Sequence, residues 1–168
     1  MYVYLIRHAV AHKRDQERWP DDSRRPLTPE GEEEFVRAAR GLARIVPDVD
    51  VLLSSPYERA WRTAEILAEQ IGWPAPERLP ALEPDVPPEE VVIALQTCQR
   101  KQSIALTGHR PCLHELAVYL LTGDAGSADL KIKKGGVLCI QFDDAPKAGA
   151  GKLRWLFTPK VLRNLAFS

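Results

Sequence analysis

Tyr2-Val3-Tyr4-Leu5-Ile6-Arg7-His8-Ala9 is the stretch on which the reading of the fold turns. Its first five residues are aromatic, β-branched or aliphatic, types that suit a pleated, packed surface. A run that is apolar on both faces reads as a buried strand of a mostly parallel sheet. In such sheets ligands bind outside the carboxyl ends of the strands. Arg7 and His8 fall at that end, so the later strand ends have to be asked whether they bring partners to the same place.

Two of them do. Ala11 to Arg25 is charged and lacks periodicity, which reads as a loop. Thr28 is then placed to cap a helix with Pro29 at its first position. That helix is expected to run to about Val46, with Phe35, Ala38, Ala39, Leu42, Ile45 and Val46 inward and Glu32, Glu33, Glu34 and Arg37 on a solvated face. Val49 to Leu53 reads as a second buried strand. Ser55 and Glu58 fit a capping box opening a second helix, which Gly72 closes. Arg59 and Arg62 lie in its first turns, against the preference of a helix N-terminus for acids.

Pro74 to Pro88 reads as a loop with a brief strand near Leu79 to Leu82, and Pro88 to Cys98 as a third helix. Ser103 to Leu106 is a third buried strand, running into Thr107-Gly108-His109-Arg110-Pro111 and a fourth helix that ends near Leu121. Gly136 to Phe142 and Leu153 to Phe157 form an expected strand pair, followed by a short helix over Pro159 to Leu165. This alternation predicts an α/β fold, a three-layer α/β/α sandwich whose mostly parallel central sheet carries an antiparallel edge. At 168 residues a single domain spanning the whole chain is expected.

The formal net charge is 0, from 23 basic and 23 acidic residues. No basic excess is available for nucleic acid or a membrane surface, so neither is an expected partner. Three separated cysteines do not read as a disulfide framework, and a reducing, cytoplasmic setting is expected. No apolar run approaches the roughly 18 residues of a membrane span.

Arg7, His8, Arg59 and His109 come from three strand ends that can share one crevice. Two guanidiniums and two imidazoles there suit a phosphate, whose oxygens match the planar arginine fork. Binding alone does not require two histidines, whereas a neutral imidazole nitrogen is a nucleophile for a phosphoryl group. No phosphate-binding glycine loop and no carboxylate cluster for Mg²⁺ is visible, so neither a metal nor a cofactor is expected. His8 and His12 are four apart, but Ala9 stands where a zinc-protease helix has Glu, and the flanks are not helical. Arg62, His114, Cys112, Trp61 and Trp73 read as structural, and His12 as a loop residue near the pocket mouth. Trp19, in the charged loop, is a candidate for partner contact.

Leu5 to Ala9 (LIRHA), Arg25 to Gly31 (RPLTPEG), Ser54 to Glu65 (SSPYERAWRTAE) and Thr107 to Pro111 (TGHRP) resemble the motifs of the histidine phosphatase superfamily, which has the phosphoglycerate mutase-like fold. The short chain, RPLTPEG and the terminal RWLFTPKVL (Arg154 to Leu162) resemble its SixA-like branch, the phosphohistidine phosphatases. The resemblance implies a metal-independent phosphatase with a covalent phosphohistidine intermediate on His8. Arg7 and Arg59 would clamp the phosphate, His109 would hydrogen-bond the transferring group, and Arg25 would line the site. Ala9 departs from the commoner glycine. The proton donor is left open between Glu83, Asp85 and neither. An imidazole leaving group, with a conjugate-acid pKa of about 6.5, departs with little help, unlike an alkoxide. The implied substrate is therefore a phosphorylated protein side chain, phosphohistidine. A small-molecule phosphomonoesterase and a non-catalytic phosphate-binding module are the alternatives.

Overall fold

In the computed structural model, which describes residues 1–167, Tyr2–Arg7 forms strand β1 at the middle of a six-stranded sheet. Beside it on one side runs β4 (Ser103–Gly108), parallel and in register from Tyr2 opposite Ser103 to Arg7 opposite Gly108. Next come β2 (Val51–Ser54) and the two-residue β3 (Glu77–Arg78), both parallel. On its other side lie β5 (Val137–Gln141) and β6 (Lys152–Phe157), both antiparallel to their neighbours. The sheet is thus mostly parallel with an antiparallel edge, as the pattern predicts.

Alternate side chains of the strands feed two cores. Tyr4, Ile6, Leu52, Ala105, Val137 and Cys139 pack against α1 (Pro29–Ala43), α2 (Glu58–Ile71) and α5 (Pro159–Leu165). Val3, Leu5, Val51, Leu53, Ile104 and Leu106 pack against α3 (Pro88–Leu95) and α4 (Cys112–Thr122). Strand alternation therefore produces the three layers directly. Among the described residues no helix is long and apolar enough to cross a membrane.

Several elements depart from the sequence reading. Helix α1 stops at Ala43, not Val46, and the turn leaves Ile45 exposed while Val46 folds back with its N–H on the Leu42 carbonyl. The brief strand falls at Glu77–Arg78, and the apolar run after it is a 3-10 turn, Pro80–Leu82. Pro80 lacks the N–H that a central strand would need there. The third helix ends at Leu95, with Gln96–Cys98 tightening into a 3-10 turn. Ser55 does not build a capping box: α2 begins at Glu58 with Tyr57 as an N-cap lacking a side-chain bond.

Candidate active site

The carboxyl ends of β2, β4 and β1 lie side by side, because β4 pairs with both of the others. Backbone bonds carry this alignment past the strands: His8 N–H donates to Gly108 O at 3.0 Å and Ser55 N–H to Thr107 O at 3.0 Å. His8, Ser55 and His109 therefore emerge next to one another. The His8 and His109 rings are 5.2 Å apart, centroid to centroid. His109 Nε2 is 2.9 Å from Ser55 Oγ, which also accepts from the Tyr57 N–H at 3.3 Å. The Tyr57 and His109 rings meet edge to face, 5.2 Å between centroids.

His8 is 6 % exposed and His109 1 %. Burial pushes the His8 pKa down to about 3, helped by the charges of Arg59, Arg7 and Lys134 and opposed by its bond to Ala9. Burial also pushes His109 down to about 2, with His8, Arg59, Arg25 and Arg7 adding to the effect. Both rings are therefore neutral at pH 7. His8 Nδ1 is 2.7 Å from the Ala9 carbonyl oxygen. A carbonyl only accepts, so Nδ1 carries the proton and Nε2 is left with a free lone pair. The Ala9 N–H is held in turn by Thr63 Oγ1 at 3.0 Å, whose own hydroxyl donates to the Arg59 carbonyl at 2.7 Å. Helix α2 thus fixes the backbone that orients His8.

Arg7 and Arg59 are anchored by their outer nitrogens. Arg7 Nη1 donates to the Ile132 carbonyl at 2.9 Å. Arg59 Nη1 donates to the Asp22 carbonyl at 2.8 Å, and its Nη2 lies 3.1 Å from Asp22 Oδ2. Arg25 Nε donates to Asp22 Oδ1 at 2.8 Å and its Nη1 to the His12 carbonyl at 2.6 Å. The Tyr57 ring lies under the Arg59 guanidinium, 5.1 Å from it. Arg7 Nε, Arg59 Nε and His109 Nδ1 are buried without a hydrogen-bond partner among the described residues. A buried polar group left unpaired costs about 1–3 kcal/mol, more when charged. Arg7 and Arg59 act electrostatically on both histidines, and three unpartnered polar groups in one such cluster suit an anion with several acceptor oxygens.

Arg7, His8, Arg59 and His109 thus meet, with Arg25 joined to them through Asp22. Glu83 and Asp85 do not join the cluster directly: no hydrogen bond or ion pair links either to His8 or His109 among the described residues. Glu83 is half-buried and Asp85 exposed, and both act electrostatically on Tyr57. Arg62 pairs with Glu32, Glu65 and Glu69, and His114 Nε2 faces the Ile132 carbonyl at 3.2 Å. The Cys112 thiol is buried and pushed up to about 12 by that burial. The Trp19 ring packs on His12 at 5.0 Å, under Arg18. Among the described residues no group of three or more His, Cys, Asp or Glu side chains could hold a metal ion.

Sequence reasoning passed over Asp22, Tyr57, Thr63 and Lys134. Lys134 precedes Gly135, whose N–H donates to the carbonyls of Arg7 and His8 at 2.9 and 3.1 Å. Burial lowers its pKa, followed by the charges of Arg7, Arg25 and Arg59. Only Tyr57 and Thr63 lay inside a motif, where the surrounding residues could have drawn attention to them.

Residues 3–83 match the family model described as histidine phosphatase superfamily (branch 1). The chain belongs to the histidine phosphatase superfamily. Among solved structures it is similar to the protein histidine phosphatase SixA complexed with tungstate, at 26% identity and a TM-score of 0.82, covering 96% of this chain and 99% of that one. The alpha-ribazole phosphatase from Shigella flexneri shares the fold at 20% identity and a TM-score of 0.74, over 95% of this chain and 97% of that one. An uncharacterised protein of Picosynechococcus sp. (strain ATCC 27264 / PCC 7002 / PR-6) is 31% identical over 140 residues, 82% of this chain and 83% of its own length.

Proposed function

We propose that the protein is a phosphohistidine phosphatase acting on a phosphorylated protein side chain, with His8 as nucleophile. The observation that carries this reading is the free Nε2 of a neutral His8, fixed by its Nδ1–H bond to Ala9 and set among arginine donors that lack partners. In the first step Nε2 attacks phosphorus. The bond from phosphorus to the leaving imidazole breaks, its electron pair stays on that ring, and the ring takes a proton from solvent. In the second step water attacks the phosphorus on His8, losing a proton and releasing inorganic phosphate and free His8. Arg7 and Arg59 hold the equatorial oxygens and His109 donates to one of them as charge builds.

The leaving group favours phosphohistidine over an ester. Among the described residues no carboxylate bonds to His8 or His109, and an imidazole departs without the proton an alkoxide needs. Glu83 and Asp85, on the Tyr57 side, are the carboxylates from which an ester substrate would have to draw that proton. The similarity to SixA supports the same substrate class. A pure phosphate binder has no use for the oriented lone pair of His8.

Turnover of a phosphohistidine-bearing protein, compared with a panel of phosphate monoesters at equal concentration, tests the substrate. The expected result is a kcat/KM at least about a hundredfold higher for the P–N substrate, in line with the contribution of general acid catalysis that the ester lacks. A metabolite ester turned over faster than the phosphoprotein would show a small-molecule phosphomonoesterase instead.

A further inference from the structure

An arginine presents two hydrogen-bonding edges, the pair of terminal nitrogens and the side edge that includes Nε. At Arg59 the terminal pair is taken by one residue. Nη1 donates to the main-chain carbonyl of Asp22 at 2.8 Å, and Nη2 meets its carboxylate at 3.1 Å. The Nε edge is buried and has no partner. The second carboxylate oxygen of Asp22 accepts from Arg25 Nε at 2.8 Å. One side chain therefore spans two guanidiniums that would otherwise repel each other.

Asp22 is itself held. It opens a 3-10 turn, Asp22–Arg24, capped by Asp21, whose carboxylate accepts from the Ser23 N–H at 3.0 Å and the Ser23 hydroxyl at 2.7 Å. Arg25 Nη1 ties the far end of this turn to the His12 carbonyl. The Arg59 side chain is only 4 % exposed, so it has no water shell to direct it, whereas Asp22 is 27 % exposed.

We propose that Asp22 is the positioning residue of the phosphate clamp: it occupies the outer edge of Arg59 with its carbonyl and carboxylate, turns the Nε edge to the pocket, and locks Arg25 into the same frame. This rests on the reading of Arg59 as a phosphate ligand. It makes a prediction whose sign is opposite to that of simple electrostatics. As a charge alone, a carboxylate beside the clamp repels a bound oxyanion, and its removal tightens binding. As a positioner, its loss lets a buried guanidinium turn away, and binding weakens.

Tungstate binding, measured by calorimetry at fixed ionic strength, separates the two. Asp22→Ala is expected to weaken it about tenfold or more, since small misplacements of binding groups have large effects. Asp22→Asn, which keeps a carbonyl acceptor and the shape, is expected to fall between it and wild type; it carries the test alone if Asp22→Ala does not fold. The decisive arm is the Arg59→Lys background, where there is no outer edge to hold. There Asp22→Asn should weaken tungstate binding less than it does in the wild-type background, since only the Arg25 contact is left to lose. Unchanged or tighter binding by Asp22→Asn in the wild-type background overturns the proposal. So does equal weakening in both backgrounds, which would mean a general disturbance of the loop. If Arg59→Lys itself binds tungstate as wild type does, the reading of Arg59 fails, whatever Asp22 does.

Discussion

His8 and His109 are buried as neutral rings, and this links the site to pH. In the unfolded chain both take up a proton as pH falls through about 6.5. In the folded protein burial holds them down to about 3 and about 2. Between those values the unfolded state binds more protons, so stability falls as pH falls. Their contribution is fully present above pH ~6.5 and is lost from there downward, on the order of 1 kcal/mol per pH unit for each ring. His114, also lowered by burial, acts in the same direction. Urea unfolding should therefore show a less stable protein at pH 5 than at pH 7, with a smaller gap in His8→Asn and in His109→Asn. A gap of the same size in both variants would contradict burial of the rings in neutral form. Strand-end position and residue type were enough to single out these histidines in the sequence. Their partners were not legible: that the Ser55 hydroxyl meets His109 depends on how β2 and β4 align, which no local pattern encodes.

Helix α1 shows how an element transmits a motif to the site. Thr28 accepts from the Gly31 N–H at 3.0 Å, as the capping signal predicts, and Pro29 starts the helix. This brings Gly31 onto the loop after His8, where a Cβ would overlap the Val10 carbonyl oxygen and crowd Thr28 Oγ1. The glycine of RPLTPEG is thus a close-approach residue. Gly41, further along α1, meets the Leu162 carbonyl of α5 in the same way. The two substitutions should separate. Gly31→Ala is expected to lower both stability and turnover, because the backbone it displaces is that of the His8 loop. Gly41→Ala is expected to lower stability by about 1–3 kcal/mol, typical of overpacking, while KM stays near wild type. Urea unfolding and steady-state kinetics on the same samples check both; a shifted KM in Gly41→Ala alone would reverse the assignment. Strands and helices with long apolar faces were readable because burial imposes a period. The two-residue β3 and the Asp22–Arg24 turn were not, being too short to show one.

Across the molecule, zero net charge conceals an uneven distribution. Arg7, Arg25, Arg59 and Lys134 act on one another at one end of the sheet, around two neutral imidazoles. Only the Asp22 carboxylate forms an ion pair with any of those four among the described residues. Three parallel strands aligned at their carboxyl ends bring Arg7, His8, Arg59 and His109 to this end, and in the proposed reaction they supply a nucleophile, a clamp and a donor for the transferring group. The proposed mechanism requires a covalent bond between phosphorus and His8 Nε2. Incubation with a small radiolabelled phosphodonor such as phosphoramidate, followed by rapid quenching in base, should give a label that is stable to alkali, labile to acid, mapped to His8 and absent from His8→Ala. Label retained in His8→Ala, or none in wild-type protein that binds tungstate, would contradict it.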